Sequence, residues 1–415
     1  MSSIGENVDD LLDRLPEEIV SHIHSLMPTK YSVRTSVLSK KWRYVWMSVT
    51  NLDFAYPGGH LFNKFTFTKL VDWDDNNFTR FVDRVLKFCK TSHVKLFGLH
   101  ISRYQVPKLR LSNWIDKAIG LNIREVDICA STRLPSSLFT CKTLAKLRLN
   151  QSVGKSLSSI YLPCLKSLDI VGFPNSKLIH GCPMLESLSS KVSWCDLKKD
   201  YIFNIPTLKR LELTFASTIN DVNHKVVLRV PNLEFLSVVG VLSSSIVVED
   251  VSSLVGASIA CHEPTVNQRW VELLKGIRRV QNLSIQYCPI MPTLPIFPNM
   301  KHLELKGYWP PRLILQFLEC CPELKPLCID GTAGWFCKEM VPACMLTNLT
   351  TIKFSKCEGY KGDMVFLEYV LRNAKALKTL TITWKNILSI GEERWSQLVL
   401  IIPRASSHSE IYFRS

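Results

Sequence analysis

Aliphatic side chains recur along this chain in one hexapeptide pattern, Leu-x-x-Leu-x-Leu loosened to any apolar residue of similar size. Copies stand at Leu96, Leu99, Ile101; Ile123, Val126, Ile128; Leu144, Leu147, Leu149; and Leu165, Leu168, Ile170. They continue at Leu208, Leu211, Leu213; Leu233, Leu236, Val238; Val280, Leu283, Ile285; Met300, Leu303, Leu305; and Leu324, Leu327, Ile329. Leu349, Ile352, Phe354 and Leu377, Leu380, Ile382 follow, and weaker copies at Leu185, Leu188, Ser190 and Leu254, Ala257, Ile259 fill the two wide gaps. Within a copy the last two apolar residues alternate with a polar one, so both point to one side of a short strand, and the first anchors the turn leading into it.

Successive copies lie about 20 to 28 residues apart, the spacing of leucine-rich repeats. One such unit cannot hide its apolar side alone, so neighbours stack into a parallel sheet over a continuous core. A doubly wound sheet also alternates strands with helices, but it does not reuse one hexapeptide in this way. Phrases ahead of the strands recur too: Leu-Pro-Cys-Leu at 162–165, Gly-Cys-Pro-Met-Leu at 181–185, Val-Pro-Asn-Leu at 230–233 and Cys-Cys-Pro-Glu-Leu at 320–324. A proline there holds its predecessor extended and ends any preceding helix. Polar positions between the inward pairs, namely Arg148, Asp169, Glu212, Ser237, Ser284, Glu304, Cys328, Lys353 and Thr381, are expected on the opposite, concave face. Of these, Arg148, Asp169, Glu212, Ser237, Ser284, Glu304 and Lys353 are the candidate target-binding residues.

Helical spacing fills the longer repeats: Phe78, Phe81, Val82, Val85, Leu86; Trp270, Leu273, Leu274, Ile277; Leu313, Phe317, Leu318; and Phe366, Val370, Leu371. Shorter repeats between about 140 and 240 leave little room for a helix, so irregular outer segments are expected there. The stretch 239–248 reads as a rim loop or as a strand of a decayed repeat. The fold class that follows is an α/β repeat: a helical N-terminal segment, then a leucine-rich-repeat solenoid with a curved parallel sheet on the concave side and helices and irregular segments outside.

Residues 13–50 carry a different pattern. Pro16, followed by Glu17 and Glu18, starts a helix whose first turn suits acidic side chains. Leu15, Ile19, Ile23 and Leu26 form an apolar stripe that ends at Pro28, and a second helical pattern carries Val33, Val37, Leu38, Trp42, Val45 and Trp46 among Lys40, Lys41 and Arg43. A segment this short rarely buries such an apolar load by itself, which predicts a partner.

Charge and composition narrow the function classes. The 415 residues include 51 Lys and Arg against 36 Asp and Glu, a net charge of +15, but the basic residues are spread along the chain, as on a solvated surface. Nothing at the start resembles a secretory signal, and no apolar run approaches the roughly 18 residues of a membrane span. The expected location is inside the cell, in nucleus or cytoplasm, where the 14 cysteines act as small apolar side chains and not as a disulfide framework.

No catalytic or metal-binding constellation emerges. Gly154-Lys155-Ser156 ends like a phosphate loop, but Leu149 stands where the first glycine belongs. His262-Glu263 lacks a second histidine, since position 266 is valine, and the cysteines never form a Cys-x-x-Cys pair. His22 and His24 diverge on a helix and read as surface or partner-facing residues. No cofactor is expected.

The N-terminal segment resembles a plant F-box: Leu15-Pro16, Pro28-Thr29-Lys30, the run 35–41, and Trp42-Arg43 with Trp46 match together. The C-terminal part is similar to the FBD region that accompanies such proteins, in Leu349-Thr-Thr-Ile-Lys-Phe, Gly359-Tyr-Lys-Gly-Asp, the run 371–382 and the closing Ile402-Pro-Arg-Ala-Ser-Ser. The pattern departs at His22 and His24, and at Ser409, near where relatives often keep a cysteine. The resemblance implies a non-catalytic, substrate-choosing subunit of a Skp-cullin-F-box ubiquitin ligase, with an unknown protein as target. It implies that Leu15, Pro16, Ile19, Ile23, Leu26, Pro28, Val37, Leu38, Trp42 and Trp46 meet a Skp-family adaptor. The expected layout is a flexible 1–10, an F-box at 11–50, repeats at 51–340 and an FBD region at 341–415 that continues the array. Two alternatives compete: an F-box receptor whose repeats bind a small hormone, and a basic nucleic-acid-binding scaffold.

Overall fold

The computed structural model describes residues 15–40, 42–56, 75–101, 106–151, 159–193, 199–216, 224–262, 268–286, 293–332, 340–358, 361–385 and 392–414. Lys41, the 154–156 triplet, Val266 and the opening two residues of Gly359-Tyr-Lys-Gly-Asp lie outside them. The chain falls into two compact units, residues 1–190 and 191–415.

The first unit opens with helices α1 (Glu17–Ser25) and α2 (Thr29–Arg34), then two 3-10 turns, Thr35–Val37 and Val45–Ser48, before strand β1 (Asn51–Ala55). The second helical pattern of the sequence is therefore broken into short pieces. Ser36, Val37 and Ser39 are weak helix formers, and Ser39 turns its hydroxyl to the backbone N–H of Trp42 at 3.3 Å instead of continuing a helix. Helix α3 (Asp75–Phe88), β2 (Leu96–His100), α4 (Lys108–Gly120) and strands β3 (Glu125–Cys129), β4 (Lys146–Leu149) and β5 (Ser167–Val171) follow, then α5 (Ser176–His180) and β6 (Ser187–Val192). Strands lie in sequence order, and the pairs from β1 to β5 are parallel.

Register corrects one copy of the hexapeptide. Phe97 pairs with Val126 and Leu99 with Ile128, so the inward frame of β2 is Val94, Phe97, Leu99, two residues before the Leu96, Leu99, Ile101 frame of the sequence. Both frames are apolar, and only pairing with the neighbours chooses between them. An unread copy precedes it: Val49, Leu52 and Phe54 are buried, with Leu52 opposite Phe97 and Phe54 opposite Leu99. Helix α4 was also not evident from spacing, yet Leu111, Trp114, Ile115 and Ala118 are all buried.

The recurrent proline phrase is a turn. In Leu162-Pro-Cys-Leu165 the N–H of Leu165 donates to the carbonyl of Leu162 at 3.2 Å, and the same bond closes 182–185, 205–208, 230–233, 297–300 and 321–324. Proline takes the second turn position, where its fixed φ is favourable. The first and last residues of each turn point inward, so Cys182 and Cys321 occupy positions held elsewhere by leucine, isoleucine, valine or phenylalanine. Asparagines beside the turns stitch neighbouring repeats: Asn232 Nδ2 donates to the carbonyl of Pro206 at 2.8 Å and Asn348 Nδ2 to that of Pro322 at 3.0 Å.

In the second unit one sheet carries, in order, β8 (Arg210–Phe215), β10 (Phe235–Gly240), β12 (Gly256–Cys261), β13 (Asn282–Gln286), β14 (His302–Trp309), β15 (Pro326–Thr332), β16 (Thr351–Cys357), β17 (Thr379–Trp384) and β18 (Glu410–Arg414). Every one of these pairings is parallel. The weak copy at Leu254, Ala257, Ile259 is real: Ala257 pairs with Leu236 and Ile259 with Val238. Helices α6 (Gln268–Gly276), α7 (Pro311–Cys320), α8 (Ala343–Thr347), α9 (Lys361–Asn373) and α10 (Glu392–Leu400) occupy the later connections.

Of the connections expected to be irregular, the one before β6 holds the short helix α5, whereas those before β8 and β10 are extended. Strands β7 (Tyr201–Asn204), β9 (Val226–Arg229) and β11 (Ile246–Asp250) form a second parallel sheet ordered β11-β9-β7. Each is rich in β-branched or aromatic residues, and lateral pairing satisfies the backbone of segments too short for a helix. Phe203, Val226, Leu228 and Ile246 bury their side chains there.

Candidate docking and recognition surfaces

The interior of the N-terminal segment includes residues that look polar in the sequence. Helix α1 buries Val20 and His24, one turn apart, and α2 buries Thr29 and Ser32. His24 Nδ1 lies 3.0 Å from Ser32 Oγ, its Nε2 lies 3.3 Å from Thr35 Oγ1, and its ring sits 5.2 Å from that of Trp42. Burial lowers the pKa of the imidazole, which favours the neutral ring. The expectation of a surface histidine thus fails for His24, because Ser32 and Thr35 supply the hydrogen bonds that make a buried imidazole tolerable. His22 is exposed.

Thr29 joins this segment to the sheet. Its hydroxyl accepts from the N–H of Asp53 at 2.7 Å and faces the carbonyl of Asn51 at 3.5 Å, while Asn51 Nδ2 donates to the carbonyl of Ser25 at 2.8 Å. The open edge of β1 is thereby covered.

Because the inward side of α1 is the Val20–His24 side, the apolar stripe turns outward. Ile19 is 48% exposed, Leu26 72%, Val37 85% and Leu38 43%. Pro16 and Pro28 are exposed, and Leu15, Ile23 and Trp46 are half-buried. Trp42 departs from the expected set: at 4% exposure it belongs to the interior, against His24. Tyr31 and Tyr44, both exposed, were missed by the stripe because neither falls on its helical spacing.

The outward polar positions of the repeats form register rows, as the alternation requires. In the first unit Asp127, Arg148 and Asp169 stand side by side on β3, β4 and β5. The Arg148 guanidinium bridges its neighbours, 2.9 Å from Asp127 and 3.2 Å from Asp169. In the second unit the row runs Glu212, Ser237, Ser258, Ser284, Glu304, Cys328, Lys353, Thr381. Ser284 donates to Glu304 at 2.8 Å, and Lys306 reaches the same carboxylate at 3.1 Å. The small outward residues Gly256 and Ser258 leave a hollow of about 630 Å³, open to solvent, beside Phe235, Ser284, Glu304 and Lys306. Arg210 stacks on the Phe235 ring at 4.4 Å.

Near the C-terminus Asp363, on α9, is buried yet well supplied. It accepts from Thr332 Oγ1 at 2.5 Å and from the N–H of Glu358 at 3.2 Å, which ties the ends of β15 and β16 to the helix. Burial pushes the thiols of Cys182 and Cys344 up to about 12 and raises that of Cys321 as well. Held protonated, these are apolar fillers and not nucleophiles. Among the described residues no group of His, Cys, Asp and Glu could hold a metal ion, and no helix is long and apolar enough to cross a membrane.

A short helical module with apolar side chains turned outward is thus joined through Thr29 to a parallel-sheet repeat with polar register rows. The F-box domain model matches residues 12–54 and the FBD model residues 339–382. An F-box/FBD/LRR-repeat protein of Arabidopsis thaliana is 30% identical over 460 residues, covering 98% of this chain and 97% of the relative. An F-box/LRR-repeat protein of the same plant is 31% identical over 459 residues, covering 96% and 86%, and an FBD-associated F-box protein is 29% identical over 428 residues, covering 97% and 100%. The chain belongs to the F-box/FBD/LRR-repeat family. The F-box match runs into β1, and the FBD match spans β16 and most of β17, which lie in the same sheet as the preceding repeats.

Proposed function

We propose that this protein is a substrate-recognition subunit of a Skp-cullin-F-box ubiquitin ligase, acting inside the cell without catalytic chemistry of its own. The observation that carries the reading is the outward apolar set Ile19, Leu26, Val37 and Leu38, in a segment matched by the F-box model. Side chains this exposed gain from burial only against another protein, and a Skp-family adaptor is the partner that F-box membership supplies. Pro16, Pro28, Leu15, Ile23 and Trp46 flank the set, while Trp42 supports it from behind. The target protein is held on the outward rows, through Arg148 and Asp169 in the first unit and Glu212, Ser237, Ser284, Glu304 and Lys353 in the second.

Co-purification of the full chain with a recombinant Skp-family adaptor tests the reading. The wild type is expected to form a stable complex, and Val37→Asp, which puts a charge where an apolar contact is needed, to lose it. An undiminished complex with Val37→Asp rejects this docking face.

A further inference from the structure

Strand β1 of the first unit and strand β18 of the second are finished differently. The edge of β1 is covered by Thr29, whereas β18 pairs with β17 alone, and among the described residues no strand lies on its outer side. The N–H of Glu410 donates to the carbonyl of Lys378 at 2.8 Å, so Glu410, Tyr412 and Arg414 direct their backbone toward β17. Alternate residues of a strand face opposite neighbours, which leaves the N–H and C=O groups of Ile411 and Phe413 aimed outward. Their side chains are half-buried, while the residues they pair with, Leu380 and Ile382, are fully buried. An extended, partly apolar edge of this kind is a template for one more strand.

The sequence of β18, Glu-Ile-Tyr-Phe-Arg, selects which strand. Laid antiparallel on itself about Tyr412, it sets Glu410 opposite Arg414, Ile411 opposite Phe413 and Tyr412 opposite itself. Opposed residues point to the same side of a sheet, so the charged pairs meet on the outward face and the apolar pairs on the core face. Backbone geometry agrees, because Ile411 and Phe413, whose polar groups are free to pair outward, become the hydrogen-bonded positions, and Tyr412 becomes the close, non-bonded position at the two-fold axis. Arg414 has no ion-pair partner among the described residues, and Glu410 meets only the Tyr412 hydroxyl there. We infer that the outer edge of β18 is a homodimer interface, closed by antiparallel pairing with β18 of a second copy. A two-fold contact of this kind uses the same patch on both subunits and is self-limiting.

Charge exchange on the full-length chain tests this, with mass measured by sedimentation from low to high micromolar concentration. The wild type is expected to show a concentration-dependent dimer. Arg414→Glu sets carboxylate against carboxylate at both ends of the interface, as does Glu410→Arg with cations, and each is expected to weaken the dimer by at least about tenfold. Mixing the two single variants restores both opposite-charge pairs, as does combining them in one chain, so both preparations are expected to regain the dimer. Both residues are exposed, so the fold is expected to survive, which circular dichroism verifies. The double variant Leu26→Ser with Val37→Ser is expected to dimerise normally. A wild type that stays monomeric, leaving the edge to a strand of another protein, overturns the inference. So does a dimer indifferent to charge reversal, a mixture that fails to recover, or a dimer lost only with the Leu26 and Val37 changes.

Discussion

Removing Leu26 and Val37 is expected to separate the proposed docking from folding. Full burial of a leucine or valine side chain is worth about 1.5–3 kcal/mol. Leu26 is 72% exposed and Val37 85%, so most of that sum is still unclaimed in the free chain. If the adaptor claims it, truncation to alanine costs about 1–2 kcal/mol at each site. The pair together then weakens binding by on the order of 100-fold, since 1.4 kcal/mol is a tenfold change. Stability of the free chain barely responds, by about 0.5 kcal/mol or less, because the side chains touch little of their own protein. Trp42→Ala should behave in the opposite way. That ring is 4% exposed and packs on His24, and its loss is expected to cost about 3–5 kcal/mol of folding free energy. Calorimetric titration with a Skp-family adaptor, paired with thermal melts of the free chain, measures both quantities. An affinity for the Leu26→Ala, Val37→Ala protein within threefold of wild type would refute the assignment of this face, as would an affinity loss that appears only with a lowered melting temperature.

Two further expectations concern the fold itself. His24 has a folded-state pKa below its ordinary 6.5, so the unfolded chain binds the proton more readily; its contribution to stability is whole above about pH 6.5 and is lost as pH falls through the lower folded value. Denaturant melts followed by tryptophan fluorescence should show this acid sensitivity in wild type and its reduction in His24→Gln, and equal slopes would remove it. Gly240 has φ 118°, and a Cβ added there would lie 2.1 Å from the carbonyl oxygen of Phe215. Gly240→Ala is therefore expected to destabilise by about 2 kcal/mol or more, and an unchanged denaturation midpoint would contradict it.

The repeat architecture was legible because its cause is local. A strand with one face in the core must alternate, and a stack of such strands must alternate at a regular interval, so hexapeptides such as Leu144, Leu147, Leu149 announce themselves without any knowledge of neighbours. The same holds for the helices at 75–88 and 311–320, whose apolar spacing survives in the linear chain. The N-terminal segment was legible as an apolar excess, but its orientation was not. Which side of α1 faces inward was decided by Ser32 and Thr35, which meet both nitrogens of His24 and so let a polar ring displace Ile19 and Leu26 from the interior.

What the amino-acid order alone determined here is periodicity: strand, turn and helix in their repeating order, and an N-terminal stub with more apolar surface than it can hide. Partnership across distance, by contrast, was settled by the folded chain. Register moved the β2 frame from Leu96 to Val94, lateral pairing made a second sheet of β7, β9 and β11, and Thr29 covered the outer side of β1. These outcomes depend on groups far apart in the chain satisfying one another's hydrogen bonds and filling one another's space, and no local pattern records that.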